Sequence, residues 1–305
     1  MDVRLVNVEV AVTDGSGKLI ADLKPENFLL REDGVSQKVT HFAPTRVPVR
    51  VVLLVEASPA VYLLHGEHLT AAFLLLRALR PEDEVALVTY ARGLQPELPF
   101  TRDKSLVEQR LSSLGGFGLG MAEMNLLDAV ALTLDWLNPP PQRTAVVLIG
   151  TGLDSGSKTR WEELRQRVGA SQVTFFTVAM GRLLREEPKR KKRPWEEEQA
   201  LETLEATFGH ADDRLEALAA ASAGEAFFPQ SAGELERHYR EIAERLRNLY
   251  SLGYTSSNPV RDGAYREISV QLVEGSGMPL TLRDLRGKPI AYRVFARPGY
   301  FAPRD

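Results

Sequence analysis

Arg50-Val51-Val52-Leu53-Leu54-Val55, closing on Glu56-Ala57-Ser58-Pro59-Ala60, is the stretch that decides the fold. Six residues with almost no polar member, rich in β-branched side chains, read as a strand buried on both faces. Such strands belong to parallel sheets covered by helices, and ligands of those sheets bind beyond the carboxyl ends of the strands. Glu56 and Ser58 stand at that end, just before a helical pattern begins, so function is to be sought there first.

Working outward, buried strands alternate with amphipathic helices from Val47 onward, the pattern of a doubly wound α/β domain. Strands are expected over 83–90, 144–150, 172–178 and 226–228, with a short edge strand over 96–100. Helices are expected over 67–80, 104–114, 125–137, 161–168, 212–221 and 232–249. Residues 182–211 read as an insertion in which Lys189-Arg190-Lys191-Lys192-Arg193 is followed by Glu196-Glu197-Glu198, a solvated loop or else a dock for an acidic partner.

The two ends of the chain have a different texture. Residues 4–13 alternate with valines on one face, a half-buried strand, and Asp14-Gly15-Ser16-Gly17 signals a hairpin turn. A helical turn at 25–28 and strands over 28–32 and 35–42 follow. After residue 249 come strands over 250–255, 265–273, 278–282 and 291–296. Each end has too few strands to be stable alone. The expectation is therefore one composite β-sandwich built from residues 1–46 and 249–305, with an α/β domain over 47–248 inserted between them.

Composition narrows the function classes. Over 305 residues, 38 basic against 41 acidic side chains give a net charge of −3, which argues against a general nucleic-acid binder. With no cysteine, disulfides, thiolate metal sites and cysteine nucleophiles are excluded. No apolar run approaches the ~20 residues of a membrane span. Met1-Asp2-Val3-Arg4 lacks a signal-peptide pattern and leads almost directly into a strand, more like a trimmed start than a natural one.

Five stretches, in order, carry a family likeness: Val6-Asn7-Val8-Glu9-Val10, Leu23-Lys24-Pro25-Glu26-Asn27-Phe28, Glu32-Asp33-Gly34, Leu249-Tyr250-Ser251-Leu252-Gly253-Tyr254-Thr255 and Ala296-Arg297-Pro298-Gly299-Tyr300. With the Glu-Ala-Ser turn and the α/β alternation, the chain resembles the von Willebrand factor A-related proteins of the Acidobacterial type. The resemblance implies a divalent-cation adhesion site of Asp-x-Ser-x-Ser, a later Thr and a late Asp. Those positions fall here on Glu56, Ser58, Ala60, Met124 and Thr151, and Ser58 alone is unchanged. Mg²⁺ needs an octahedron of oxygens at about 2.0–2.1 Å. Ala60 offers none and the Met124 thioether is a soft ligand, while Glu56 is one methylene longer than Asp and overshoots. Asp154 is near enough in sequence to reach back. The reading is a degenerate site without a metal or other cofactor; a Mg²⁺-dependent adhesion domain is the alternative and a hydrolase the second.

Other candidates resolve to structure. His65-Gly66-Glu67-His68 has the wrong spacing for a zinc-protease helix. The run Gly115-Gly116-Phe117-Gly118-Leu119-Gly120 lacks the Gly-Lys-Ser/Thr ending of a phosphate loop and reads as a loop over the old metal rim. Ser58 has no Gly-x-Ser-x-Gly elbow around it. Phe175-Phe176 and Phe227-Phe228 read as core. The expectation is a non-enzymatic interaction or adhesion module, secreted or periplasmic by family likeness. Its partner is another protein, held at a rim of Glu56, Ser58, Phe117, Thr151 and Asp154.

Overall fold

The structure is a computed structural model; it describes residues 5–45, 47–58, 65–114, 123–138, 143–184, 195–247, 249–275, 277–283 and 286–304. The chain divides into two compact units, one formed by residues 48–240 and the other by 1–47 with 241–305. The second boundary falls inside the helix Ala232–Arg247. No helix among the described residues is long and apolar enough to cross a membrane.

The α/β unit is a six-stranded sheet. Its strands are β5 (Arg50–Glu56), β6 (Glu84–Tyr90), β7 (Leu94–Thr101), β8 (Thr144–Gly150), β9 (Val173–Ala179) and β10 (Ala226–Phe227). The spatial order is β7-β6-β5-β8-β9-β10, all parallel except β7, which lies antiparallel at the edge. Val51, Val52, Leu53 and Leu54 are all fully buried, the outcome that an unbroken apolar run demands of a central strand. Counted in chain order the sheet reads 3-2-1-4-5-6, so the winding direction reverses between β5 and β8, the point beyond whose carboxyl ends ligands of such sheets bind. Glu56 and Thr151 flank that point.

Helices α1 (His65–Ala78), α2 (Lys104–Ser113), α3 (Leu126–Trp136), α4 (Trp161–Ala170), a single turn α5 (Gly181–Leu184), α6 (Trp195–Ala221) and α7 (Ala232–Arg247) complete the order. Asp103 starts α2 by accepting hydrogen bonds from Ser105 and Leu106 N–H. The inner faces of α3 and α6, carrying Leu126, Val130, Leu134, Leu215 and Leu218, join one core with Val52, Leu54, Val146 and Leu148. Phe175, Phe176 and Phe227 are buried, and Phe228 packs against the same core.

One expectation for this unit is corrected. The helix placed over 212–221 begins at Trp195, so much of the presumed insertion is helical. Leu201, Leu204, Phe208, Ala211, Leu215 and Leu218 recur at helical spacing, and the acidic run at 196–198 conceals the start of that pattern. Lys189 to Arg193 lie outside the described residues.

The other unit is a sandwich of two four-stranded antiparallel sheets around one core. Its strands are β1 (Leu5–Asp14), β2 (Phe28–Glu32), β3 (Val35–Gln37), β4 (Val39–Thr45), β11 (Leu249–Thr255), β12 (Tyr265–Leu272), β13 (Tyr292–Ala296) and β14 (Gly299–Phe301). The sheets run β13-β1-β11-β4 and β14-β12-β2-β3, so each contains strands from both chain ends, alternating in the first and joined at the β12–β2 pair in the second. Val8 faces Leu252 and Leu30 faces Val270 across those pairings. Glu32 is buried, yet it accepts hydrogen bonds from Tyr254 in the facing sheet (2.5 Å), from Tyr300 in its own (3.0 Å) and from Ser256.

Two expectations are corrected here as well. The strand over 35–42 is two strands, broken at Lys38, with β3 pairing in one sheet and β4 in the other; the chain turns a corner between layers. The strand over 278–282 is absent, leaving isolated bridges at Val273–Pro279 and Arg283–Pro289, because proline cannot donate to a ladder.

Candidate functional site at the carboxyl edge of the sheet

Glu56 ends β5 directly opposite Tyr90, the last residue of β6, and Thr151 follows β8 on the other side. The Glu56 carboxylate lies across all three strand ends. Its Oε2 accepts from Thr151 N–H at 2.6 Å, from Thr151 Oγ1 at 2.8 Å and from the Tyr90 hydroxyl at 3.3 Å. Its Oε1 accepts from Ser58 Oγ at 2.7 Å. Three donors thus converge on one oxygen and one on the other. Gly150 makes room for this arrangement: a Cβ there would lie 2.6 Å from both Glu56 Oε2 and the Tyr90 hydroxyl.

All four residues are enclosed, with Glu56, Tyr90 and Thr151 each 1 % exposed and Ser58 6 %. Burial raises the Glu56 carboxyl above its ordinary value, although the hydrogen bonds from Ser58, Thr151 and Tyr90 pull the other way. The Tyr90 phenol is pushed far up by burial first and then by the Glu56 charge and hydrogen bond, so it remains a donor.

Around this centre the surface loops are tied to one another. Asp154 accepts from Leu127 N–H at 3.2 Å and from the Ser157 hydroxyl, which seats the loop after β8 against the start of α3. Asp128 in α3 answers by accepting from Lys158 and Thr159 N–H. Burial acts to raise the Asp128 carboxyl, but the bonds from Thr159 and Lys158 outweigh it and leave the carboxyl below its ordinary value. Ser155 Oγ accepts from Met124 N–H at 2.9 Å and Ser155 N–H donates to Met124 O at 2.7 Å. Outward of these lie the exposed Ser155, Gly156 and Lys158 and the Arg92–Glu123 ion pair at 3.0 Å.

The structure thus brings Glu56, Ser58 and Thr151 together, but as a buried cluster. Asp154 is half-buried, and its carboxylate serves the loop and α3 instead of Glu56. Met124 is buried beside the same loop with its backbone engaged. Ala60 and Phe117 lie outside the described residues, as do the side chains of His65, Glu67 and His68. Tyr90 and Gly150 are the residues that sequence reasoning missed. The available signal is that each closes a buried strand at the same sheet edge as Glu56.

No protein-family model matches the chain. No curated protein sequence matches it either. Among solved structures, a von Willebrand factor type A protein from Catenulispora acidiphila aligns over 95 % of this chain and 73 % of its own at 9 % identity, with a TM-score of 0.48. An aerotolerance-related membrane protein from Bacteroides fragilis aligns over 65 % and 98 % at 14 % identity, with a TM-score of 0.47. The PilB minor pilin from Streptococcus sanguinis aligns over 67 % and 62 % at 9 % identity, with a TM-score of 0.44. With every one of these scores below 0.5, the fold assignment rests on strand order and core, not on the likenesses.

Proposed function

We propose that the α/β unit is a non-enzymatic protein-interaction module of the adhesion type, and that its binding edge works without a divalent cation. The observation that carries this reading is the Glu56 carboxylate, whose oxygens are engaged by Ser58, Thr151 and Tyr90. A hard cation seeks oxygens whose lone pairs face it. Here the Glu56 oxygens are turned to the Thr151 N–H and to hydroxyl protons and not to a cation, and the Met124 thioether adds no suitable ligand. A hydrolase fits no better, because Ser58 is buried and its hydroxyl is committed to a carboxylate.

The groups that face outward, Arg92, Glu123, Ser155, Gly156 and Lys158, are polar and of mixed charge. Such an edge suits a protein partner held by hydrogen bonds and local contact, with weak dependence on salt. The family resemblance supports a partner outside the cytoplasm. The test is affinity capture from the native organism's envelope with the purified chain as bait, followed by binding of the isolated partner with and without EDTA. Phe117→Asp and Lys158→Glu are expected to abolish binding, and EDTA to leave it unchanged. If a charge-neutralised 189–193 segment alone abolishes it, with steep salt dependence, the functional element is that segment and not the edge.

A further inference from the structure

We propose that the sheet edge beyond β5 and β8 is a carboxylate receptacle that carries its own ligand, the Glu56 side chain. Four groups donate hydrogen bonds to that carboxylate. The Thr151 N–H can do nothing else, and the hydroxyls of Thr151, Ser58 and Tyr90 all direct hydrogen bonds to it. The Thr151 N–H, which has no lone pair to offer a cation, is what sets this edge apart from the cation site that the family resemblance implies. A cation there would meet the backbone proton of Thr151 at the place where a ligand oxygen is needed. The inference rests on the metal-free reading of this edge and adds the chemical class of what fills it.

Three details support a carboxyl group as the intended occupant. The donors divide three on Oε2 and one on Oε1, so both oxygens of the carboxylate are held. Gly150 is the residue that leaves space for Oε2 and the Tyr90 hydroxyl at once. The extra methylene of Glu over Asp carries the carboxylate from the end of β5 across to Thr151 beyond β8. The receptacle thus ties three strand ends together with no ion from solution, and the edge keeps one arrangement whatever the divalent-cation concentration.

Truncating Glu56 at Cβ removes a methylene and a carboxylate, the heavy atoms of acetate. The test is thermal melting of the full chain, wild type and Glu56→Ala, in sodium acetate and in sodium chloride at equal pH and ionic strength, and with added MgCl₂. The variant is expected to melt lower and to regain about 3 °C or more in acetate, saturably, with no such gain in chloride or Mg²⁺. Wild type is expected to respond to neither. A Mg²⁺ response without an acetate response overturns the inference, and so does a variant indifferent to both. If Glu56→Ala does not fold in chloride, recovery of its circular dichroism in acetate supports the receptacle. If it folds in neither, Glu56→Gln decides: it must melt below wild type, and a Gln variant as stable as wild type overturns the inference. EDTA-sensitive partner binding sinks the metal-free reading on its own, whereas a missing acetate response sinks this inference alone.

Discussion

Thr151→Val tests the Glu56 centre with the least disturbance of shape. The β-branched side chain stays in a position 1 % exposed, and one hydroxyl is lost. That hydroxyl donates to Glu56 Oε2 at 2.8 Å and accepts weakly from Leu153 N–H at 3.3 Å. A hydrogen bond to a charged group is worth about 1.5–3 kcal/mol. The Thr151 N–H still holds the carboxylate at 2.6 Å, so the loss stays below the 3–5 kcal/mol typical of stripping a buried charge of its partner. At about 2–4 °C per kcal/mol for a unit of this size, the melting temperature should fall by roughly 4–10 °C. Urea denaturation followed by fluorescence of Trp136 and Trp161, both in this unit, measures the free energy directly. Combined with Glu56→Gln, the two substitutions should couple by about 1–2 kcal/mol. A cost for Thr151→Val below ~0.5 kcal/mol, or strictly additive costs in the double variant, refutes the idea that Thr151 secures the carboxylate.

In the sandwich, Tyr254→Phe removes the donor that Glu32 receives from the facing sheet and should cost about 1.5–3 kcal/mol, read as faster limited proteolysis of that unit; unchanged protection argues that Glu32 does not clamp the sheets. Because burial raises the Glu56 carboxyl above 4.5, the folded state holds its proton more tightly than the unfolded chain. The stability of wild type relative to Glu56→Gln should then be greatest below about pH 4.5 and decline as pH rises through the raised value; urea midpoints of both proteins from pH 4 to 8 that show the opposite slope exclude burial as the dominant effect.

The fold was legible where one physical cause dominated. Val51 to Val55 could be buried only in a covered sheet, and the alternation of valines in β1 could belong only to a half-buried strand. Errors arose where two causes compete in one segment. At 195–211 a helical apolar stripe is overlaid by glutamates, and the charge run masks the stripe. At Lys38 a continuous β pattern crosses between sheets, a change of layer that leaves alternation intact and so cannot be seen in it. At 278–282 the apolar residues suggest a strand, but Pro279 removes a ladder donor.

The site was half legible, and the missing half follows from how its parts are distributed. That Ala60, Met124 and Thr151 depart from the ligand pattern the family resemblance implies reads directly from the sequence. What takes the place of the lost ligands does not, because Tyr90 joins the centre only through the register that sets it opposite Glu56. The extra methylene of Glu56 looked like a misfit for a cation, yet it is what lets the carboxylate reach Thr151 at 2.6 Å. The changes are also mutually consistent. Two carboxylates, at 56 and 151, would repel in a buried site without a cation between them. One carboxylate and a threonine attract, and the threonine supplies two donors at once. A threonine rather than an acid at 151 therefore suits the buried acid at 56.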